Sequence, residues 1–149
     1  EVMDLMRYSD LFAMSVYPHM SSEVPRPVAA NFLDFATRFK RPVAVAESGM
    51  SAQEAKLRSY GTQLRGSDTD QYQFTELLLK TAARDYYDFV INFASTDFER
   101  LVSRLQPPLD DLARIWAYTG MQTSDKRPKP ASAVWDGFLR ARYEQAKWW

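Results

Sequence analysis

Apolar residues along this chain fall into two patterns, short continuous runs and longer stretches with helical spacing. The continuous runs lie at residues 10–17, 43–46 and 88–95, and each is bounded by proline, glycine or polar residues. Runs of this length predict strands, because an ordinary helix is longer. The first run is almost entirely apolar, which is typical of a parallel strand buried on both faces.

Helical spacing appears between and after these runs. Apolar residues recur every three to four positions in several stretches, which predicts helices at residues 28–39, 70–82, 96–105 and 109–116. Ser51 and Glu54 match a capping box, so we expect a further helix over residues 51–60. Thr96 and Glu99 form a second capping box, which makes Asp97 part of a predicted helix start.

The two ends of the chain also have helical patterns. Residues 1–8 predict the end of a helix, and Pro130 is a good first residue for the last one. Trp135 falls at core spacing in this last helix, which is expected to continue to Trp148 and Trp149. Predicted strands therefore alternate with predicted helices, a pattern that favours an α/β fold with parallel strands and right-handed crossovers.

Composition narrows the class of protein. The 149 residues, 46% of them hydrophobic, are enough for one domain with a real core, and 19 basic residues balance 19 acidic ones. A neutral chain without a basic cluster gives no reason to expect a nucleic-acid partner or an anionic membrane surface. No stretch approaches the roughly 20 apolar residues that a membrane helix needs. With no cysteine and one histidine, we expect no cofactor and no metal site.

Glu47 is the most informative single residue. It directly follows the apolar run Val43-Ala44-Val45-Ala46, and Gly49 follows it closely. Simple alternation would place Val43, Val45 and Glu47 on one face of the strand. Ligands of parallel α/β proteins bind at the carboxyl ends of the strands, so Glu47 is a candidate for chemistry. The alternative, equally compatible with the pattern, is a carboxylate that caps the turn before Ser51.

Three stretches carry a resemblance to a known family. They read Ser15-Val16-Tyr17-Pro18-His19, Arg41-Pro42-Val43-Ala44-Val45-Ala46-Glu47-Ser48-Gly49 and Trp116-Ala117-Tyr118-Thr119-Gly120-Met121. In this order they resemble the regions of strands six, seven and eight in retaining (β/α)8-barrel glycoside hydrolases, the clan of cellulases, mannanases and β-1,4-galactanases. The resemblance covers nearly the whole chain. It implies that residues 1–149 are the C-terminal part of a single TIM-barrel catalytic domain, with the upstream strands outside this sequence.

The resemblance also implies an activity, the hydrolysis of O-glycosidic bonds with retention. In that family the glutamate ending strand seven is the nucleophile and a tyrosine after strand six orients it, which makes Glu47 and Tyr17 the expected catalytic pair. The acid/base glutamate of the family lies on strand four, which this sequence does not include. We therefore expect an oligo- or polysaccharide substrate, a requirement for the remainder of the barrel, and an inactive isolated fragment.

Four further residues are candidates for substrate contacts, each with a structural alternative. His19 follows the first predicted strand and is either a sugar contact or an ordinary loop histidine. Ser15 is either an inward-pointing polar group or a small packing residue. Asn92 is expected to face the barrel lumen, with its apolar neighbours Phe89, Ile91 and Phe93 turned to the helices. Trp116 is either a platform for a sugar ring or part of the core.

Two other classes of function stay open. The chain is alternatively a non-catalytic carbohydrate-binding relative that keeps the fold, or a structural α/β interaction module in which Glu47 has no chemical role. The sequence leaves the compartment open as well, since secreted and periplasmic enzymes also often lack cysteine.

Overall fold

The computed structural model describes residues 2–141. Its strands are β1 (Phe12–Val16), β2 (Val43–Ser48), β3 (Ala55–Leu57), β4 (Thr62–Leu64) and β5 (Val90–Asn92). Strands β1, β2 and β5 form a parallel sheet in the order β1-β2-β5, and β3 and β4 form a separate antiparallel pair. The three strands predicted from continuous apolar runs are thus confirmed, and so is their parallel arrangement.

The α-helices are α1 (Val2–Leu5), α2 (Asp68–Arg84), α3 (Glu99–Val102), α4 (Leu109–Arg114) and α5 (Pro130–Arg140). Helix α2 is capped by Ser67, whose Oγ accepts a hydrogen bond from the Asp70 backbone N–H at 3.0 Å. Helix α5 begins at Pro130 as the sequence predicts. Its predicted continuation to Trp148 and Trp149 lies outside the described residues. None of the described helices combines the length and hydropathy needed to cross a bilayer.

The core lies on one face of the parallel sheet, which we call the core face. Alternate residues of β1 and β2 pack there against α2 and the segment before β2, and the cluster includes Phe12, Met14, Val16, Leu33, Val43, Val45, Phe74 and Leu78. The other face, which we call the open face, is exposed at Ala13 and Ser15 in β1. The prediction that this strand is buried on both faces is therefore wrong for the described residues.

The segment before β2 is a 3-10 helix, not the predicted α-helix. It spans Asp34–Phe39. Ala36 within it and Leu33 just before it are completely buried. Leu33, Ala36 and Phe39 are three residues apart, and a helix with three residues per turn brings all of them to one side. The apolar residues at positions 32 and 35 gave the appearance of α-helical spacing, but Phe35 is exposed.

Residues 51–60 form part of a hairpin, which corrects the predicted helix. The Ser51 hydroxyl donates to the Gln53 carbonyl at 2.7 Å and caps no helix. Ala55 and Leu57 are buried while Lys56 is exposed, a period of two that suits a strand. Ala55 pairs with Leu64 of β4 in the hairpin. The match to a capping box was a coincidence of residue types without the helical continuation that it needs.

The second capping box is also absent. Helix α3 starts later than predicted, with Phe98 at its N-terminal boundary and no side-chain cap. The Glu99 side chain accepts a hydrogen bond from Ser124, and the Thr96 hydroxyl accepts one from Lys126. Asp97 is buried and pairs with Lys129, so it does not start the helix. The side chains that the local pattern assigned to capping instead bond to residues that are distant in the sequence.

Candidate active site

A one-residue bulge in β2 determines the direction of Glu47. Met14 of β1 pairs with Val45, but the next residue, Ser15, pairs with Glu47. Ala46 therefore has no counterpart on β1. Residues in register on neighbouring strands project to the same side of a sheet, so Glu47 shares the open face with Ser15.

The same shift appears on the other side of β2. Val45 pairs with Val90 of β5 and Ser48 with Asn92, so three steps along β2 match two steps along β5. The predicted common face of Val43, Val45 and Glu47 is therefore wrong. The two valines pack on the core face, and the bulge reverses the alternation before Glu47.

Tyr17 lies beside Glu47 at the carboxyl end of the sheet. Its hydroxyl is 3.1 Å from Glu47 Oε2 and donates a hydrogen bond to this carboxylate. Burial raises the pKa of Tyr17 well above its usual value, and the Glu47 charge and the hydrogen bond raise it further. The phenol is thus protonated at neutral pH and acts as a donor. The contact expected from the sequence is present, and the catalytic roles of the two residues stay predictions.

Aromatic side chains surround Tyr17. Its ring centroid is 6.1 Å from that of Phe93 and 6.3 Å from that of Trp116, both in edge-on geometry. Phe93 and Trp116 also contact each other, with centroids 6.0 Å apart. Phe93 is exposed and Trp116 is half-buried. Together the three rings form an aromatic wall beside Glu47, a surface suited to the C–H faces of a sugar ring.

Sequence reasoning missed the contribution of Phe93. We expected Phe89, Ile91 and Phe93 to face the helices, but all three are exposed. Val90 packs against the core instead, and strand alternation leaves its neighbours on the other side. The pairing of Val90 with Val45 shows which residues of β5 face the core. The local sequence does not show it, because nearly every position of this strand is apolar.

Asn92 lies on the core face, two residues after Val90, so the prediction that it faces a lumen is wrong. Its side-chain N–H group donates to the Ala94 carbonyl at 2.7 Å and to the Thr119 carbonyl at 3.3 Å. These bonds give partners to the N–H donors of a half-buried amide. Asn92 thereby ties the end of β5 to the loop that follows α4.

His19 is also inside the protein, with 2% of its surface exposed. It belongs to a 3-10 helix, Pro18–Met20, and its Nε2 donates to the Ile115 carbonyl at 2.9 Å. Burial lowers the pKa of His19, so the ring is neutral at pH 7. The ring is turned toward the backbone that precedes Trp116, which favours the structural alternative for His19. A contact between His19 and substrate stays a prediction.

Ser15 and Trp116 remain compatible with their predicted roles. Ser15 is exposed on the open face, in register with Glu47. Trp116 lies two residues after the end of α4 and contacts Tyr17 and Phe93. Both residues are therefore near the candidate nucleophile, and a contact with substrate stays a prediction for each.

A buried ion pair lies behind this site and was not anticipated. Lys129 Nζ donates to Asp97 Oδ1 at 2.7 Å and to the Tyr118 carbonyl at 3.0 Å. Burial raises the pKa of Asp97 and lowers that of Lys129, and each charge partly offsets the effect on the other. The two residues are 32 positions apart, so no local pattern links them. Within residues 2–141 as described, no cluster of acidic or histidine side chains could hold a metal ion.

Comparison with known proteins gives a fold but no family. No family model matches the sequence, and no curated protein is detectably related to it. A β-D-glucuronidase from Dictyoglomus thermophilum matches 91% of this chain over 23% of its own, with a TM-score of 0.62 and 15% identity. A Bifidobacterium dentium β-glucuronidase complexed with coumarin-3-O-glucuronide has a TM-score of 0.59 and 18% identity, covering 91% of this chain and 22% of its own.

A third solved structure is an active-site mutant of Rhizomucor miehei β-1,3-glucanosyltransferase in complex with laminaritriose. It covers 85% of this chain and 44% of its own, with a TM-score of 0.58 and 16% identity. These neighbours are enzymes that act on glycosidic bonds, and at such identities the likeness shows the fold alone. The chain spans about a quarter of each β-glucuronidase, with 23% and 22% covered.

Proposed function

We propose that this chain is the C-terminal part of a retaining (β/α)8-barrel glycoside hydrolase, with Glu47 as its nucleophile. The observation that carries the proposal is the hydrogen bond from Tyr17 to Glu47 at the carboxyl ends of two adjacent parallel strands. In α/β barrels the catalytic groups come from these strand ends. The fold shared with enzymes that act on glycosidic bonds supports the same assignment.

The chemistry follows from the position of one carboxylate. Glu47 attacks the anomeric carbon, the bond from that carbon to the leaving oxygen breaks, and a glycosyl ester forms on Glu47. Water then attacks the anomeric carbon, the ester bond breaks, and Glu47 is released as a carboxylate. Tyr17 holds the attacking oxygens in one orientation, which contributes to catalysis by positioning.

The second carboxyl group of the mechanism lies outside these 149 residues. It first gives its proton to the leaving oxygen and later takes a proton from water. In a retaining enzyme the two carboxyl groups stand roughly 5 to 5.5 Å apart across the sugar. We assign this acid/base to a glutamate on the fourth strand of the complete barrel.

The substrate is an oligo- or polysaccharide held against the aromatic wall of Tyr17, Phe93 and Trp116. Phe93 is exposed on the open face that it shares with Glu47, and the half-buried Trp116 packs against it. Such an aromatic surface fits the C–H face of a pyranose ring, while hydroxyl groups bind polar side chains such as Ser15. The rest of the barrel supplies the other wall of the cleft.

A glutamine at position 47 tests the proposal in the full-length protein. Glu47→Gln keeps the shape of the side chain and can still accept the Tyr17 hydrogen bond, but it removes the nucleophile. Turnover of an activated aryl glycoside should fall by at least about a thousandfold, with binding of the substrate retained. Glu23→Gln is the matched control, because Glu23 is exposed and outside the site.

A second measurement separates a nucleophile from a general base. Azide added to Glu47→Ala should restore bond cleavage and give a glycosyl azide of inverted configuration, because azide replaces the missing carboxylate on the same face. Unchanged turnover in Glu47→Gln would remove Glu47 from the mechanism. Sugar binding without any hydrolysis by the wild-type protein would instead favour a non-catalytic carbohydrate-binding relative.

A further inference from the structure

Gln71 is a polar side chain in the part of α2 that faces the core. It is 1% exposed, between the capped start of the helix and the buried Phe74. A buried amide is costly unless it finds hydrogen-bond partners. The partners of Gln71 are backbone carbonyls of two loops that both lie at the candidate active site.

The first loop follows β2 directly. Gln71 Nε2 donates to the Met50 carbonyl at 3.0 Å, three residues after Glu47. The second loop follows α4 and begins at Trp116. Gln71 Nε2 donates there to the Gly120 carbonyl at 3.0 Å and approaches the Tyr118 carbonyl at 3.5 Å. One amide nitrogen thus joins the loop that follows the candidate nucleophile to the loop that follows the aromatic platform.

The two loops are in close contact where this amide holds them. A Cβ atom added to Gly49 would lie 3.1 Å from Thr119 Cβ and 3.1 Å from Tyr17 Cε1. The Ala52 N–H group also donates to the Tyr118 carbonyl at 3.0 Å. A small displacement of either loop would therefore move the surroundings of Tyr17.

The second loop is rigid enough to transmit such a displacement to Trp116. The Thr119 hydroxyl and backbone N–H both donate to the Trp116 carbonyl, at 2.8 and 3.1 Å. On its far side, Asp97 accepts a hydrogen bond from the Gly120 N–H group at 2.9 Å, and Lys129 donates to the Tyr118 carbonyl. Gln71 is the side chain that links this closed turn to the loop after β2, beside the backbone hydrogen bond from Ala52 to Tyr118.

We infer that Gln71 is a positioning residue, which sets the spacing between the Trp116 platform and the Glu47–Tyr17 pair through its hydrogen bonds to the two loops. This inference rests on the proposed function for its catalytic consequence. Its structural part, the placement of Trp116 by Gln71, stands independently of that function.

The test uses the full-length protein labelled with 5-fluorotryptophan, with the Trp116 resonance assigned by its loss in Trp116→Phe. Gln71→Met removes the donor at similar size. We expect it to shift the ¹⁹F resonance of Trp116, to leave that of Trp135 in place, and to lower kcat/KM by about ten- to a hundredfold. Gln73→Met is the matched control, because Gln73 is an exposed glutamine of the same helix. It should change neither readout.

Each outcome decides the inference. A folded Gln71→Met protein with an unchanged Trp116 resonance, or with kcat/KM within twofold of wild type, would overturn it. If Gln71→Met does not fold, Gln71→Asn replaces it, since the shorter side chain keeps the amide but withdraws it from both loops. If the wild-type protein cleaves no glycoside, the proposed function fails, and the ¹⁹F shift alone decides whether Gln71 positions Trp116.

Discussion

Tyr17 is the residue whose chemistry depends most directly on Glu47. Burial, the Glu47 charge and the hydrogen bond all favour the neutral phenol. The raised pKa makes folding pH-dependent at high pH. The contribution of Tyr17 to the free energy of unfolding is fully present below the pKa of about 10 that tyrosine has in the unfolded chain. It declines as the pH rises toward the pKa of Tyr17 in the folded protein, because the unfolded chain releases the proton first.

The Glu47→Gln variant gives a prediction for this group. Without the neighbouring negative charge, the pKa of Tyr17 should fall but stay above about 10, because burial remains. Tyrosine labelled with ¹³C at Cζ reports the titration by NMR, with the Tyr17 signal assigned in Tyr17→Phe. A Tyr17 pKa that is the same in wild type and in Glu47→Gln would show that the 3.1 Å contact does not persist in solution.

Lys129 supports a second prediction at the residue scale. Its side chain and that of Asp97 are 4% and 3% exposed, so removing one charge leaves the other buried and unpaired. Lys129→Met should cost roughly 3 to 5 kcal/mol of unfolding free energy at pH 7. The loss should shrink as the pH falls, because the pKa of the unpaired Asp97 rises and protonation removes its charge.

Urea denaturation of the full-length protein at pH 7 and pH 5 measures both effects. Lys126→Met is the control, since Lys126 is exposed and its bond to Thr96 lies at the surface. We expect the control to change stability by less than about 0.5 kcal/mol. A loss below about 1 kcal/mol for Lys129→Met would mean that the pair is solvated in solution.

The family resemblance was enough to place Tyr17 beside Glu47, and it left Trp116 open between a sugar platform and the core. Residue types and their order were not enough for Phe93, His19 and Asn92, because the direction of a side chain in an apolar strand or a loop depends on pairing that the local sequence does not contain. The Asp97–Lys129 pair could not be found either. It joins two segments that meet only in the folded chain.

Among the elements, the strands and the long helices follow from the sequence, and the short ones do not. Strands β1 and β2 and helices α2 and α5 have strong patterns. Helix α5 begins at Pro130 as predicted, whereas α2 begins at Asp68, two residues before the predicted start. The hairpin of β3 and β4 has only three residues in each strand. Three residues fit the spacing of a helix and that of a strand equally well, so pairing with the other strand determines that each segment is extended.

The bulge at Ala46 leads to a prediction at the scale of the element. Deleting Ala46 makes Glu47 the direct neighbour of Val45, so regular alternation keeps the Glu47 carboxylate on the open face, in register with Ser15. Because Val43 and Val45 stay on the core face and no carboxylate is buried, the deletion should cost no more than about 2 kcal/mol. Ala46→Ser keeps the residue count and the bulge, and should cost less than about 1 kcal/mol.

Urea denaturation compares the two variants of Ala46, and aryl glycoside hydrolysis follows the activity. We expect both variants to retain most of the stability and the turnover. A deletion variant that loses at least about 3 kcal/mol together with its turnover would mean that Glu47 has turned to the core face. The pairing of Ser15 with Glu47 would then not persist in solution.

On the scale of the whole molecule, the parallel sheet has two edges, along β1 and β5, that pair with no other strand within residues 2–141. Phe12 N–H bonds to Pro42 and Gly49 N–H bonds to Val16, so the backbone of Ala13 and Ser15 points away from β2. On the other side, Phe89 and Phe93 bond to β2, which directs the backbone of Val90 to the outer edge. An apolar groove of about 350 Å³ lies next to this edge, between β5 and α5, lined in part by Tyr87, Trp135 and Phe138.

The side chains on the open face differ in size between strands, as they do in the interior of a closed barrel. Strands β1 and β2 present small residues there, Ala13, Ser15 and Ala44, whereas β5 presents Ile91 and Phe93 is close behind. In a barrel interior, large and small side chains from alternate strands fill each layer. In the barrel proposed above, the other strands would supply large residues against β1 and β2.

Ile91 distinguishes a barrel segment from a complete domain, because its environment differs between the two. In the described residues it is 49% exposed on the open face, and the proposed barrel would bury it in the lumen.

Ile91→Lys should reduce the self-association of residues 1–149 alone, measured by light scattering after gel filtration, because it charges an exposed apolar sheet. In the full-length protein the same change should cost about 3 kcal/mol or more, because it buries a charge. Leu101→Lys is the control, because Leu101 lies in α3 and is 59% exposed. It should have neither effect. If Ile91→Lys is tolerated in the full-length protein as well as in the fragment, the open face is solvent-facing in both, and the sheet does not close into a barrel.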